Sequence, residues 1–277
     1  MTRTPVLFIH NERCGGNVIG ECAQDYVIRI YDPGDYDRYP IFKFGHTNGR
    51  VYTWDDFLEE APRGRKRYFS GHFPFGAARH IPGRVNYLTS VRDPEDRLVS
   101  ISKSWGNDVE DPDAWLRNYW EADNGMTRRL AGIDSLRGKA HDFVNDRDLC
   151  EEGEFKATPE IFERAKANLL ENVAAVIVKE RFIESLVLAE KKLGWPPMYS
   201  FSRAHYNQTP QIDLPASRDL IAEIVEANVH NHALYALAKY RDSDRARELA
   251  ARSIDCINEY WLPDETWQTE RVGRELG

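Results

Sequence analysis

Leu7-Phe8-Ile9-His10-Asn11-Glu12-Arg13-Cys14-Gly15-Gly16-Asn17-Val18-Ile19-Gly20 reads as an apolar strand that runs into a tight glycine turn and then a helix. A glycine pair permits positive φ and close backbone approach, and the first amides of a helix have no intrahelical acceptor, so such a turn cradles an anion. Phosphate or sulfate suits it. Arg13, at the lip, adds a permanent charge and a forked set of donors. The loop is not a Walker A, because Gly15-Gly16 is followed by Asn17-Val18 where Lys-Ser/Thr is required, and it is not the G-x-G-x-x-G of dinucleotide sites. An ordinary turn between elements looks the same in isolation.

A second stretch repeats the pattern. Val85-Asn86-Tyr87-Leu88-Thr89-Ser90-Val91-Arg92-Asp93-Pro94-Glu95-Asp96-Arg97-Leu98-Val99-Ser100 reads as a buried strand, a polar turn and a helix, with Asp93 as cap and Pro94 in the first turn. Arg92 then stands at the carboxyl end of a strand, the edge at which open α/β sheets bind ligands. Ser100, about two helical turns on, faces the side of the helix start. The pair suits a second phosphate some distance from the first, while an ion pair of Arg92 with Glu95 or Asp96 is the alternative.

With Gly71-His72-Phe73-Pro74-Phe75-Gly76 between them, the two motifs resemble the carbohydrate sulfotransferase superfamily, Golgi-type enzymes and their bacterial relatives, which use 3'-phosphoadenosine-5'-phosphosulfate (PAPS). The family's His-Ile-Pro-Lys-Thr-Gly-Gly-Thr-Ser falls onto His10 through Val18, and its Arg-Asp-Pro with a following Arg-Leu-x-Ser falls onto Arg92 through Ser100. Asn124 through Gly132, Lys179-Glu180-Arg181-Phe182, Leu193-Gly194-Trp195 and Asn207-Gln208-Thr209-Pro210 follow in the order such relatives show, so the likeness spans about residues 5 to 240. This chain has Arg13 for the family's lysine, Cys14 for its threonine, Asn17 and Val18 for its hydroxyl residues, and Glu12 for its proline.

The resemblance implies an α/β fold, a P-loop-type mostly parallel sheet flanked by helices. It also implies sulfuryl transfer from PAPS, as co-substrate and without a metal, to a hydroxyl of a carbohydrate or small-molecule acceptor. Arg13 with the amides of Cys14, Gly15, Gly16, Asn17 and Val18 would hold the 5'-phosphosulfate, Arg92 and Ser100 the 3'-phosphate, and Arg128 would assist there. Arg13 doubles as the group that stabilises the departing phosphate oxygen. His72 is the candidate base, since imidazole takes up a proton near neutrality; a structural histidine packed on Phe73 and Phe75 is the alternative. A non-catalytic nucleotide- or sulfate-binding relative and a P-loop kinase are the other readings, the kinase disfavoured by the missing Lys-Ser/Thr.

The remaining sequence sets bounds. Strands are expected over 5–10, 68–70, 86–91 and 174–178, and helices from Val18, Pro94, Pro159, Phe182 and Ser217. Such alternation implies a parallel sheet covered on both faces, within one domain of 277 residues that ends in a helical region from about 217, where Leu234, Leu237 and Tyr240 share a face. A net charge of -8 argues against nucleic acid as a partner, with Arg63-Gly64-Arg65-Lys66-Arg67 read as a solvated loop or a local patch for an acidic partner. Four cysteines form no C-x-x-C pair, which suggests reduced thiols and no zinc site. No apolar leader and no twenty-residue apolar span is visible, so the expectation is a cytoplasmic protein without membrane contact. His10, His46 and His80 are duller candidates than His72, and His230 and His232 make a poor metal pair. Trp105, Trp115, Tyr119 and Trp120 form either core or an aromatic wall for the acceptor.

Overall fold

The computed structural model of the chain describes residues 4–20, 22–23, 41–43, 45–47, 50–119, 122–134, 139–151, 156–195 and 213–241. In chain order these form β1 (Val6–Ile9), α1 (16–20 and 22–23), β2 (Ile41–Lys43), β3 (Gly45–Thr47), β4 (Arg50–Tyr52), α2 (Trp54–Glu60), β5 (Tyr68–Gly71), β6 (Asn86–Val91) and α3 (Pro94–Trp105). They continue with α4 (Pro112–Arg117), α5 (Gly125–Leu130), β7 (Ile133–Asp134), β8 (Lys139–Asp142), β9 (Arg147–Glu151), α6 (Pro159–Ala167), β10 (Val173–Val178), α7 (Phe182–Leu193), α8 (Arg218–Ala227) and α9 (Val229–Arg241). Trp120 and Asn207 through Pro210 lie outside the described residues, as do the side chains of His46, Cys150 and Tyr240, and Cys256.

The central sheet is parallel throughout, in the order β10-β6-β1-β5-β2. Buried on both faces, its strands are continuous apolar runs such as Val6-Leu7-Phe8-Ile9 and Val173-Ala174-Ala175-Val176-Ile177-Val178. Alternate residues serve opposite faces. Val6 and Phe8 of β1 join a cluster with Val18 and Ile19 of α1 and Phe182, Ile183 and Leu186 of α7. Leu7 and Ile9 point the other way, to Trp54 and Phe57 of α2, Met126 and Leu130 of α5 and Leu234 of α9. A third cluster joins α3, α4 and α8 through Leu98, Ile101, Leu116, Leu220 and Ile221.

Asp93 caps its helix as expected, and Thr158 and Ser217 cap α6 and α8 in the same way. Asp93 accepts from the amides of Glu95 and Asp96, Thr158 from Ile161, and Ser217 from Leu220. The sequence did not disclose β2, the antiparallel pair β3-β4 or the small sheet β7-β8-β9. The basic stretch before β5 sits at the amino end of the parallel strands, and Arg63 pairs there with Glu59 and, at 3.2 Å, with Glu60. No helix among the described residues is long and apolar enough to cross a membrane.

Strand order positions a crevice. The chain leaves β1 towards the edge that holds β2, whereas it leaves β6, the other neighbour of β1, towards β10 at the opposite edge. Loops that part in this way open a cleft above the carboxyl ends of β1 and β6, where ligands of open α/β sheets bind. Both anion motifs of the sequence end at that cleft.

Candidate functional site

The floor of the cleft is the turn from His10 to Gly16. Arg13 (φ 59°) and Gly15 (φ 83°) both adopt left-handed backbone. Such φ is uncommon for a residue with a Cβ, so Arg13 is held there by its surroundings. Gly16 is required for a different reason: a Cβ built on it would stand 2.0 Å from Nε2 of His10. Gly15 lies under the Lys179 side chain, whose Cδ would be 3.2 Å from its Cβ. Among the described residues, the amides of Gly15, Gly16, Asn17 and Val18 have no protein acceptor; the helix's own bonding begins with Ile19 donating to Gly15 O at 3.3 Å.

Side chains from distant elements hold the carbonyls of this turn. Arg92 Nη1 donates to Arg13 O at 3.2 Å, Arg97 Nε to Glu12 O at 3.0 Å, and Arg129 Nη1 to His10 O at 3.3 Å. Asn11, buried, donates from Nδ2 to Ser90 O at 2.8 Å and Thr89 Oγ1 at 3.3 Å, and Thr89 in turn donates to Ile9 O at 2.9 Å. The tips of β1 and β6 are thereby cross-tied. Arg92 bonds Arg13 O rather than Glu95 or Asp96.

Arg13 and Ser100, assigned by sequence to separated phosphates, are in contact, with Arg13 Nε donating to Ser100 Oγ at 2.9 Å. The cradles adjoin because Ser100 lies buried on the face of α3 that meets the turn. Burial, followed by the nearby Arg92 charge, lowers the Arg13 pKa. Like charges held this close in partly desolvated surroundings repel, and a bound anion relieves both costs. Cys14 is buried within the turn, and burial raises its thiol pKa to about 11. That excludes a thiolate role near neutral pH.

Arg128 is buried in α5, and its neighbour Arg129 supplies the donor to His10 O. Sequence reasoning passed over Arg129 and Arg97, because a buried arginine in a helix carries no periodic signal.

His72 follows β5 and stacks on His10, with ring centroids 4.8 Å apart, while His10 stacks on Phe8 at 5.5 Å. His72 Nδ1 lies 3.0 Å from His10 O. A carbonyl only accepts, so Nδ1 carries the hydrogen and Nε2 keeps its lone pair. Desolvation, then Arg129, lowers the His72 pKa to about 3, although 35 % of its side chain remains accessible. Desolvation and His72 depress His10 as well. The remaining histidines sit elsewhere: His80 packs edge-on against Trp54, and His230 stacks on Phe162.

Glu12 meets Tyr119 and His72. Its Oε2 accepts from the Tyr119 hydroxyl, and Oε1 is 3.9 Å from His72 Nε2. Burial, then the Glu12 carboxylate, raises the Tyr119 pKa. Tyr119 stacks on Trp115 at 4.9 Å and touches Trp105 at 5.9 Å, and the Arg13 guanidinium lies 5.8 Å from the Trp105 ring centre. Trp105 is 39 % exposed, whereas Trp115 and Tyr119 pack against the core cluster of α3, α4 and α8. At the end of β10, Glu180 Oε1 accepts from Asp93 N at 3.1 Å and Oε2 from the Tyr235 hydroxyl at 3.0 Å.

The two histidines have a measurable consequence. A histidine neutral in the fold and protonated when unfolded supports stability fully above its unfolded pKa of about 6.5, and that support is lost as pH falls towards the folded value. Denaturant titration is expected to show stability falling below pH ~6.5, by about 1.4 kcal/mol per pH unit for each histidine held neutral. His10→Asn should flatten that slope, and an unchanged slope would mean that His10 is charged in the fold.

Among the described residues, no three His, Cys, Asp or Glu side chains are grouped to hold a metal ion. Scanned against protein-family models and against curated proteins, the chain matches none.

Proposed function

We propose that this chain is a PAPS-dependent sulfotransferase with a P-loop-type anion turn, moving a sulfuryl group to a hydroxyl or amine of a small-molecule or carbohydrate acceptor. One observation carries the reading: beside the amides of residues 15–18, which have no protein acceptor among the described residues, Arg13 bonds Ser100 and Arg92 bonds Arg13 O at the carboxyl ends of β1 and β6. A donor with anionic groups at both ends of a nucleoside matches two adjoining cradles, and the cradles match its charge. The residues divide the work accordingly. The amides and Arg13 hold the phosphosulfate and meet the charge that builds on the departing phosphate oxygen, while Arg92 and Ser100 take the 3'-phosphate. His72 is the candidate base, with Nε2 towards Glu12, but desolvation lowers its pKa to about 3, so the near-neutral proton affinity expected from the sequence is not kept and the ring accepts the proton only as it leaves the acceptor in the transition state.

Isothermal titration separates this reading from a kinase. Adenosine 3',5'-bisphosphate should bind more tightly than ADP, and the reverse order would defeat the proposal. Arg92→Ala should weaken the bisphosphate by about 1.5–3 kcal/mol, the worth of a hydrogen bond between charged partners, and unchanged affinity would remove Arg92 from the 3'-phosphate. A nucleotide-binding relative without turnover is the second reading, favoured by Arg13, which replaces the family's lysine and is engaged with Ser100. A single-turnover assay with labelled PAPS tells the two apart.

A further inference from the structure

Lys179 has no part in the transfer as described, yet it lies on the glycine turn. It is the first residue after β10, at the same carboxyl edge of the parallel sheet as the turn, with β6 standing between β10 and β1. Its side chain crosses that distance. Cδ lies 3.2 Å and Cε 3.8 Å from the position a Cβ on Gly15 would take, so the absence of a side chain at residue 15 leaves a track for the lysine stem. Phe182, buried at the start of α7, borders the same track, with its Cε2 3.9 Å from that position and its ring centre 5.7 Å from the Lys179 Nζ. The ammonium is one bond beyond Cε and therefore stays within roughly 5 Å of the Gly15 Cβ position. An anion seated on the amides that open α1 is within its reach.

We infer that Lys179 binds the 5'-phosphosulfate end of the donor and stabilises the oxygen that departs from sulfur. The inference rests on the sulfuryl-transfer reading and adds a catalytic residue to it. Arg13 leaves room for this second cation, because its Nε is engaged with Ser100 and its guanidinium lies 5.8 Å from the Trp105 ring centre, which commits it to α3. The two groups also differ in kind. A guanidinium spreads its charge over a planar fork, whereas an ammonium is a compact charge with three donors, suited to a single oxygen on which charge is building.

The step balances. As the acceptor oxygen bonds to sulfur, the bond from sulfur to the bridging phosphate oxygen breaks, and that oxygen keeps the electron pair as part of the departing 3',5'-bisphosphate. Lys179 donates a hydrogen bond to it and keeps its own proton, while the acceptor's proton passes to His72.

The test compares the natural protein with Lys179→Met, in which an unbranched stem remains on Gly15 and Phe182 and only the charge is lost. Each is titrated with adenosine 3',5'-bisphosphate and, by competition, with adenosine 3'-monophosphate, which lacks the 5' group. Lys179→Met is expected to weaken the bisphosphate by about 10- to 100-fold, the worth of a hydrogen bond between charged partners, and to leave the monophosphate within about twofold. Release of labelled sulfate from PAPS in a single turnover, with water as the acceptor, should slow by at least about tenfold, and Lys179→Arg should recover part of both losses. Equal losses for the two nucleotides would mark a structural role, and no loss for either, or an unmoved rate of sulfate release, would remove Lys179 from the donor; each overturns the inference and leaves the nucleotide reading standing. Failure of the natural protein to bind the bisphosphate would sink both.

Discussion

His72→Ala is expected to lower kcat by about 10²- to 10⁴-fold, the range for losing a positioned general base, with adenosine 3',5'-bisphosphate affinity nearly unchanged. The split follows from where the ring stands. Its Nδ1 hydrogen fixes it on His10 O and its face rests on His10, so Nε2 is directed towards Glu12, 3.9 Å from its Oε1. Loss of the ring leaves the Arg92, Arg97 and Arg129 bonds to the turn's carbonyls intact. A structural role would give the opposite pattern, with bisphosphate affinity and thermal midpoint falling together while turnover per bound nucleotide survives. Rapid-quench single turnover at saturating PAPS decides between them, and unaltered turnover removes His72 from catalysis.

Gly16→Ala should cost about 3 kcal/mol or more of stability and remove measurable bisphosphate binding, because a methyl group 2.0 Å from His10 Nε2 has no room. The ring cannot retreat. It is packed between Phe8 and His72, and the backbone beneath it is tied to Gly71 through His10 N at 2.8 Å. The collision must therefore displace the turn itself, and with it the amides of residues 15–18. Shrinking the ring tests this cause directly: in a double-mutant cycle, Gly16→Ala should be far better tolerated on a His10→Ala background. Equal costs on the two backgrounds, measured by denaturant unfolding, would show that the collision is not with His10.

The elements nearest the cleft were the ones legible in the sequence. β1, β5, β6 and β10 announce themselves because strands of a covered parallel sheet are short continuous apolar runs, and α3, α6 and α8 because their apolar residues recur at helical spacing, in α3 behind the Asp93 cap. Lys139-Ala140-His141-Asp142 of β8 has no apolar alternation, and the three residues of β2 are too few to set a period. Within the site, Arg13, Cys14, Gly15, Gly16, Asn17, Val18, Arg92, Ser100, Arg128 and His72 were singled out; the structure bonds Arg13 to Ser100, Arg92 to Arg13 O and His72 to His10 O. Contacts between distant positions were not legible. Glu12 and Tyr119 are 107 residues apart, and Arg13 and Ser100 are 87 apart, so only the folded chain reveals that each pair is bonded. Arg97 and Arg129 were missed because charge in a helix ordinarily means a solvated face, whereas here it is buried against carbonyl oxygens.

Helix α9, remote from the glycine turn in sequence, governs it at one remove. Asn231 accepts at 3.0 Å from both the amide and the hydroxyl of Thr127, which orients the α5 segment bearing Arg129, while Tyr235 steadies the Glu180 carboxylate that receives Asp93 N beside Arg92. Two of the guanidiniums that grip the loop therefore take their bearings from a common strut. A chain cut ahead of Val229 would lose the Asn231 and Tyr235 bonds, so the geometry of the glycine turn belongs to the whole fold and is not portable with its motifs.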